Sequence, residues 1–167
     1  MEKEDDKILS QSFKEGMRLL SSGVSVISTL NDNNPSGLLV TSVTSVTSDP
    51  PTLLVCINNS ATSCNEIDES NIFAVNILPK DEKQLAEAFS SPKNRESRFK
   101  LNTWTALKTG APILDNALVS FDCVVKKKIN YSTHTIFFGE IVDVKVAREN
   151  LNPLLYFNQK FCCQTSI

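Results

Sequence analysis

The stretch SVTSVTSDPPTLLVCINNSA, residues 42–61, places short alcohol side chains directly before a strongly apolar segment. Serine or threonine occupies positions 42, 44, 45, 47 and 48, and Pro50 and Pro51 precede the apolar run at 52–58. Because proline cannot donate to a β-ladder, the two prolines must lie at a turn or a sheet edge. The stretch therefore predicts two strands joined by a turn. Its hydroxyls form either a solvent-facing edge or a row of hydrogen-bonding groups for a ligand.

Turn signals and alternating apolar residues divide the rest of the chain into short elements, most of them strands. The run NDNNPSG at 31–37 predicts a hairpin between strands over 24–30 and 37–47. The segment NIFAVNIL at 71–78 predicts another strand. Two long segments at 117–129 and 134–147 surround a short link, and the second alternates with a period of two. These two segments predict a long hairpin.

Helices are predicted at three places. An apolar stripe at helical spacing predicts a helix over 10–22, after a charged, flexible tail at 1–10. The stripe consists of Leu9, Phe13, Met17 and Leu20. The patterns Ser63-x-x-Glu66 and Asp81-x-x-Gln84 each match a capping box, which predicts the starts of two further helices. Few helices among many strands favour a mostly-β barrel with short flanking helices, formed as one domain over 11–167.

Composition narrows the class of protein and its partners. The 167 residues carry a net charge of −2, without the basic surplus that nucleic-acid binding requires. No apolar stretch reaches the ~20 residues of a membrane span, and the acidic N-terminus does not match a signal peptide. The five cysteines lack the C-x-x-C spacing and histidine partners of a zinc site. We therefore expect a cytoplasmic protein with no metal, no membrane and no nucleic-acid partner.

The sequence lacks most catalytic motifs. Its five glycines are too dispersed for G-x-G-x-x-G or a P-loop, it has no G-x-S-x-G elbow, and His134 is its single histidine. This pattern is typical of an enzyme whose cofactor supplies the chemistry. A flavin suits the alcohol-rich strand, because its ring edge carries hydrogen-bonding atoms and its phosphate attracts hydroxyls, backbone N–H groups and a cation.

Several segments, in this order, resemble the flavin reductase family, the NAD(P)H:flavin oxidoreductases of two-component monooxygenases such as 4-hydroxyphenylacetate 3-monooxygenase. They are FKEGMRLLSSGVSVIST, the opening stretch at 42–61, NIFAVNIL, LAEAFSS with Arg98–Phe99, ALVSFDCVV, THTIFFGEI and PLLYFNQKF. The resemblance implies an FMN-binding split β-barrel and a homodimer with flavin at the subunit interface. Leu39 stands where the family commonly has a threonine, so one expected hydroxyl is missing.

The resemblance also implies a set of site residues. The flavin is expected along Val40, Thr41 and Ser42, with Ser45, Val46 and Thr47 near its ring or ribityl chain. Those expected at the ribityl and phosphate end are Asn58, Asn59, Ser60 and Ala61, with Arg98 as the phosphate's charge partner beside Phe99. Tyr156 and Phe161 are expected to cover the ring from the C-terminal side. His134 is expected next to the flavin and nicotinamide, where it orients the nicotinamide or stabilises negative charge.

The implied activity is reduction of free FMN, or of FAD or riboflavin, by NADH or NADPH, which supplies reduced flavin to a partner monooxygenase by diffusion. An alternative on the same fold is a protein that binds FMN tightly as an electron carrier and does not turn over NAD(P)H. A third is a β-barrel interaction module without a cofactor. Retention of flavin through gel filtration and flavin-dependent oxidation of NADH distinguish these functions.

Overall fold

Strands are the main secondary structure of the chain in a computed structural model, which describes residues 2–91, 93, 95–147 and 151–164. The helices are α1 (Glu2–Arg18), α2 (Thr62–Ser70) and α3 (Lys83–Ser90), with 3-10 turns at Lys80–Glu82 and Arg95–Lys100. The strands are β1 (Ser22–Gly23), β2 (Ser25–Asn31), β3 (Asn34–Val40), β4 (Val43–Ser48), β5 (Pro51–Asn58), β6 (Ile72–Ile77), β7 (Trp104–Ala106), β8 (Pro112–Leu114), β9 (Val119–Tyr131), β10 (His134–Val146), β11 (Leu154–Phe157) and β12 (Lys160–Cys163). The prediction of a mostly-β chain with short flanking helices is confirmed.

Seven strands form one antiparallel sheet in the order β3-β2-β6-β9-β10-β5-β4. A three-stranded sheet, β1-β11-β12, joins residues near the start of the chain to its last described strands, and β7 pairs with β8. The strands at 42–61 are β4 and β5, so this stretch forms one edge of the large sheet with β5 next to β10.

Two predicted hairpins are confirmed, but the strand predicted over 37–47 is wrong, because the chain leaves β3 after Val40 and begins a separate strand, β4, at Val43. Asp32 and Asn33 connect β2 to β3 with φ values of 48° and 63°, the left-handed conformation that two-residue hairpin turns require. β9 and β10 pair from His134↔Tyr131 to Val146↔Val119, with irregularities that bend the long ribbon. The local patterns of turn residues and alternating apolar residues thus determined both pairings.

A buried amide connects three strands in the middle of the fold. Asn76 of β6 is fully buried, and its Nδ2 donates to the carbonyl of Val26 at 3.2 Å and to Ser28 Oγ at 3.0 Å. Its Oδ1 accepts from the Leu114 backbone N–H at 2.9 Å and from Ser120 Oγ at 2.8 Å. A buried amide with both ends satisfied fixes β2, β8 and β9 around β6.

The first helix differs from its prediction at both ends. It begins at Glu2 and ends at Arg18, so residues 2–10, predicted as a flexible tail, are helical. Asp5 and Asp6 lie near its start, where negative charge favours the helix dipole. All of its described side chains, from Asp5 to Arg18, are exposed. No helix of the described residues has the length and apolar character to cross a membrane.

Both capping-box predictions are wrong. The N-cap of α2 is Ala61, which makes no side-chain cap hydrogen bond. Ser63 lies inside the helix, where it is buried and its hydroxyl pairs with Ser36 Oγ at 2.8 Å. Helix α3 starts later than the capping box at Asp81 predicts, because residues 80–82 form a 3-10 turn. Its N-cap is Glu82, which also makes no side-chain cap hydrogen bond. In α2, the hydroxyl of Ser63 pairs with Ser36 of β3 and does not cap the helix.

Candidate functional site

A cleft of about 470 Å³ lies between a wall formed by β3, the link at residues 41–42 and β5, and the hairpin of β11 and β12. Residues 38–42 and 56–58 supply one wall, Ser90 of α3 contributes from the side, and the hairpin supplies Tyr156, Gln159 and Phe161. Of the predicted site residues, the cleft brings together Val40, Thr41, Ser42, Asn58 and Tyr156. We refer to this space as the cleft.

The hydroxyl of Ser42 is already used within the wall of the cleft. Ser42 Oγ donates to the Cys56 carbonyl at 2.7 Å, and the Cys56 backbone N–H donates to the Ser42 carbonyl at 3.3 Å. The proton of the Ser42 hydroxyl is therefore bonded to the chain itself, and contact of Ser42 with a flavin stays a prediction. Thr41 is exposed at the cleft and carries the neighbouring hydroxyl.

The hairpin wall of the cleft comes from residues far along the chain. The rings of Tyr156 and Phe161 lie 5.4 Å apart and face each other edge-on. The turn of the hairpin is bound to α1, because the Asn158 backbone N–H donates to the Arg18 carbonyl at 2.7 Å and the Arg18 guanidinium faces the Gln159 side-chain amide. Sequence reasoning did not assign Gln159 or Ser90 to the site, although they lie in the segments PLLYFNQKF and LAEAFSS that carry the family resemblance.

A second cavity of about 250 Å³ adjoins the cleft, and the two share Leu38, Leu39 and Ser90 in their walls. This cavity, here called the anion pocket, also contains Arg95 and Arg98 and the start of α2 at residues 60–63. The N-terminus of α2 has no side-chain cap, so its positive dipole end and two arginines face one small space. Of the predicted residues, Ser60, Ala61 and Arg98 meet here.

Arg98 is not the solvent-facing cation that a polar loop suggests. It is 5% exposed, its Nη1 donates to the Gly37 carbonyl at 3.1 Å, and its Nη2 donates to the Ser91 carbonyl. The guanidinium also lies 5.5 Å from the Phe89 ring centre. Burial, aided by repulsion from Arg95, lowers the pKa of Arg98. Its Nε is buried and has no hydrogen-bond partner.

Arg95 is the second cation of the anion pocket, and sequence reasoning missed it. Its side chain is exposed and its Nη1 donates to Thr62 Oγ1 at the start of α2. Arg95 lies three residues before Arg98 in a polar segment, and no sequence motif marks it as a site residue. Its role becomes visible only because the fold packs the 3-10 turn against the start of α2. The pair then supplies two positive charges to one side of the pocket.

Three predicted residues of β4 lie outside the cleft and the anion pocket. Ser45, Val46 and Thr47 are exposed at the sheet edge, where the pairing with β5 is irregular between Ser45 and Thr47. Thr47 Oγ1 accepts from the Asp49 backbone N–H at 3.2 Å, a local turn contact. None of the three side chains lines either cavity.

Two more predicted residues point elsewhere. Asn59 lines a separate polar cavity of about 330 Å³, where its Oδ1 accepts from Thr135 Oγ1 at 2.8 Å. Phe99 packs between Phe89 and Trp104, with ring centres 5.2 Å and 4.9 Å away. Neither Asn59 nor Phe99 lines the cleft or the anion pocket.

His134 begins β10, is exposed, and pairs in register with Asn58 of the cleft. Its Nδ1 lies 2.9 Å from Thr133 Oγ1. The imidazole is not among the residues that line the cleft or the anion pocket. The fold therefore places His134 beside a cleft residue and in solvent.

Comparison with known proteins gives one consistent family. Residues 17–164 match the flavin reductase like domain. The FMN reductase (NADH) RutF of Acinetobacter baylyi is 36% identical over 152 residues, covering 91% of this chain and 80% of the relative. The RutF of Pantoea ananatis is 37% identical over 151 residues, covering 90% and 79%.

A solved structure with the same fold is that of YcdH from Haemophilus somnus 129pt, assigned as a flavin reductase. Its TM-score is 0.89 at 35% identity, with 92% of this chain and 98% of that chain covered. Nitrilotriacetate monooxygenase component B of Mycobacterium thermoresistibile also superposes with a TM-score of 0.89, at 25% identity over 96% of this chain and 89% of its own. The expected split β-barrel is confirmed, and the chain belongs to the flavin reductase family.

Proposed function

We propose that this chain is an NADH-dependent FMN reductase that passes reduced flavin to a separate oxygenase. The RutF relatives carry the name FMN reductase (NADH), and one structural neighbour is a component of a monooxygenase. The observation that carries the proposal is the cleft running into the anion pocket, where the uncapped start of α2 meets Arg95 and the unpartnered Nε of Arg98.

The two adjoining cavities match the two chemical halves of FMN. The cleft is mainly apolar in its walls and has aromatic rings on one side, which suits a flat ring system. The anion pocket, with its hydroxyls and cations, suits the phosphate. In this arrangement the ribityl chain passes the shared residues Leu38, Leu39 and Ser90. The Nε–H of Arg98 is buried without an acceptor in the wall of the anion pocket, which supports placing the phosphate there and the ring in the cleft.

In this reaction the residues of the chain bind the flavin and orient it. Thr41 and the Asn58 amide supply polar contacts to the ring edge, while Tyr156 and Phe161 cover one side and exclude water. Bound FMN supplies the hydride-accepting ring and NADH supplies the hydride, a transfer that depends on stacking and distance more than on acid–base chemistry. The absence of a second histidine in the sequence accords with this division of roles.

His134 is proposed to act on the nicotinamide side of the site, where an exposed imidazole next to Asn58 can orient the carboxamide or stabilise negative charge. Ser45, Val46, Thr47, Asn59 and Phe99 remain predicted contacts. Ser45, Val46 and Thr47 are exposed on the sheet edge, so they reach a ligand only where a second protomer or the nicotinamide nucleotide covers that edge.

We further propose a homodimer. Leu9, Phe13 and Met17 of α1 are 70%, 65% and 49% exposed, and Leu20 just beyond the helix is 60% exposed. A stripe of this size at helical spacing, on a helix with no buried described side chain, requires a partner surface. A second copy is the occupant implied by the family resemblance. The five free cysteines support a reducing compartment, and we propose the cytoplasm.

The test is NADH oxidation followed by absorbance, with and without added FMN, on the purified chain. We expect a rate that depends on FMN, with retention of little flavin after gel filtration. Tight retention of FMN without NADH oxidation would instead identify a flavin-binding carrier. In the same assay, His134→Asn should lower kcat/KM for NADH and leave the Kd of FMN unchanged; an unaltered kcat/KM would remove His134 from the site.

A further inference from the structure

Gln159 lies in the turn of the hairpin that forms the second wall of the cleft. β11 and β12 end at the pair Phe157↔Lys160, so Asn158 and Gln159 make a two-residue turn. Their φ values of 46° and 62° are the left-handed conformation that such a turn requires. Of the two turn residues, Gln159 is the one that lines the cleft. A polar side chain thus reaches the cleft from the tip of this wall.

The direction of the Gln159 amide is fixed by Arg18, the last residue of α1. The amide oxygen accepts from Arg18 Nη1 at 3.1 Å and from Nη2 at 2.9 Å, and it also accepts from Nε. Because a guanidinium has donors only, it selects the oxygen of the amide and not the nitrogen. The Arg18 carbonyl accepts from the Asn158 backbone N–H at 2.7 Å as well. The end of α1 therefore holds both turn residues.

The amide nitrogen of Gln159 is consequently turned away from Arg18. Within the part of the chain that the structure describes, no atom accepts a hydrogen bond from this nitrogen. Gln159 is exposed and borders the cleft together with Tyr156 and Phe161, so its N–H groups are accessible to a molecule bound there. The cation bound to the oxygen polarises the amide and makes these N–H groups stronger donors. The hairpin tip thus presents an oriented donor to the cleft.

A flavin ring has atoms that match this donor. Under the proposed function the ring lies in the cleft, and Gln159 lines the cleft but not the anion pocket. The donor therefore faces the ring rather than the phosphate. The carbonyl oxygens of the ring lie on its pyrimidine half, whereas the dimethylbenzene half has no acceptor. Negative charge on the pyrimidine half increases on reduction, and an oriented donor stabilises charge that develops in a reaction.

We propose that Gln159 Nε2 donates a hydrogen bond to a carbonyl oxygen of the flavin pyrimidine ring, and that Arg18 is the positioning residue that orients this donor; the inference rests on the proposed function. Transfer of a hydride from nicotinamide C4 to flavin N5 adds an electron pair to the ring, and negative charge collects on its pyrimidine half. The oxygen bonded to Gln159 then carries more charge than before. This contact therefore holds reduced flavin more tightly than oxidised flavin.

The first test is binding of FMN to Gln159→Met, which keeps the length of the side chain and removes the donor. We expect about threefold weaker binding of oxidised FMN and about tenfold weaker binding of reduced FMN, since a bond to a charged acceptor is worth more. Fluorescence quenching gives the Kd of oxidised FMN. The midpoint potential of bound FMN, which should fall, gives the ratio of the two Kd values.

The same titrations with other molecules and a control variant locate the contact. Lumiflavin, which has the ring without ribityl chain or phosphate, should lose the same factor as oxidised FMN in Gln159→Met. Lys160→Met is the matched control, because Lys160 is exposed on the same hairpin and does not line the cleft, and each Kd should stay within about twofold. A loss for FMN that is absent for lumiflavin, or an unchanged midpoint potential, would overturn the inference.

Arg18→Met tests the positioning role, because it removes the guanidinium and leaves the carbonyl that holds Asn158. We expect about twofold weaker binding of oxidised FMN and a lower midpoint potential. Adding Gln159→Met to Arg18→Met should cost less than Gln159→Met costs alone, since an amide that is free to rotate donates less. Fully additive losses, or an unchanged midpoint potential in Arg18→Met, would overturn the role of Arg18.

A measurement on the unaltered chain covers the case in which the variants do not fold. In the NMR spectrum of isotope-labelled protein, the side-chain NH₂ signal of Gln159 should shift when lumiflavin is added and stay in place when inorganic phosphate is added. An unshifted signal at saturating lumiflavin would overturn the inference. Failure of FMN to bind at all would overturn the proposed function, and that result is distinct from FMN binding that leaves Gln159 unaffected.

Discussion

Ser42 Oγ and the Cys56 carbonyl form a 2.7 Å hydrogen bond that ties the link before β4 to the middle of β5. Both residues line the cleft, so the bond fixes the shape of the wall against which we propose the flavin lies. The serine hydroxyl therefore stabilises the backbone of the wall and is not itself free to donate to a ligand. Its role is to position the wall.

Replacement of Ser42 by alanine should therefore affect stability more than flavin binding. We expect Ser42→Ala to lower the free energy of unfolding by about 1 kcal/mol, the net worth of one such bond. The Kd for FMN should change by less than about threefold. Urea denaturation and fluorescence titration measure the two quantities. Ser48→Ala, at an exposed position at the end of β4, is the control. A large loss of FMN affinity at unchanged stability would show that the hydroxyl contacts the flavin.

Substitution of the two arginines of the anion pocket should have different effects: one mainly weakens FMN binding and the other mainly lowers stability. Arg95 is exposed, so Arg95→Ala should weaken FMN by about tenfold with little change in stability. Riboflavin, which lacks the phosphate, should bind the variant as it binds the parent. Arg98→Ala should lower the free energy of unfolding by about 2–4 kcal/mol, because the carbonyls of Gly37 and Ser91 lose charged donors. Equal weakening of riboflavin and FMN by Arg95→Ala would exclude a phosphate contact.

The thiols should react with DTNB in an order that follows their burial. Cys162 and Cys163 are exposed and should react first, while Cys56 in the cleft should react more slowly and be protected by FMN. Burial raises the pKa of both Cys64 and Cys123, so neither holds appreciable thiolate at pH 8. These two should react only after denaturation. Unchanged labelling of Cys56 by saturating FMN would contradict a flavin in the cleft.

The buried thiol of Cys123 also predicts the dependence of stability on pH. Because its pKa in the folded chain lies above its usual value of 9.0, the folded state retains a proton that the unfolded state loses. This contribution to stability is fully present below pH 9 and declines as the pH rises above it. Urea denaturation between pH 8 and 10 should show the decline, and Cys123→Ala should reduce its slope. An equal slope in both proteins would assign the effect to other groups.

Gly139 of β10 leaves room for an aromatic ring in the core. A Cβ at this position would lie 2.8 Å from Phe73 Cε1 and 2.9 Å from Cys123 Cβ. We expect Gly139→Ala to lower the free energy of unfolding by about 1–3 kcal/mol through overpacking. Gly16→Ala, on exposed helix α1 with no atom near the added methyl, should instead be neutral or slightly stabilising. Thermal denaturation of both variants compares them directly, and equal melting temperatures would contradict the overpacking.

The apolar stripe of α1 predicts the assembly state. In sedimentation velocity, the parent chain should run as a dimer, and Phe13→Asp should shift it toward the monomer, since Phe13 is 65% exposed in the single chain. Lys14→Ala on the same helix is the control and should leave the dimer intact. A monomeric parent chain at micromolar concentration would reject the homodimer.

The sequence predicted the parts of this fold that local patterns encode. The turn at Asp32 and Asn33 and the β9–β10 ribbon follow from residue preferences and alternation alone. The extent of α1 was underestimated, because its acidic first turn looks like a solvated tail until its place on the helix dipole is considered.

The site was predicted only in part, because much of it depends on tertiary contacts. Thr41, Asn58 and Tyr156 do meet at the cleft, yet the Ser42 hydroxyl is used internally and Arg98 is buried among carbonyls. No local sequence pattern shows which hydroxyl groups will form hydrogen bonds with the backbone of another strand. Arg95 and Gln159 enter the site through a 3-10 turn and a hairpin, whose positions follow from packing of distant segments.

Tyr156 and Phe161 belong to β11 and β12, which follow all the other described strands in the chain. Because the large sheet contains neither strand, it supplies only one wall of the cleft. A chain whose large sheet is folded while the hairpin of β11 and β12 is detached from it cannot shelter the ring of a flavin.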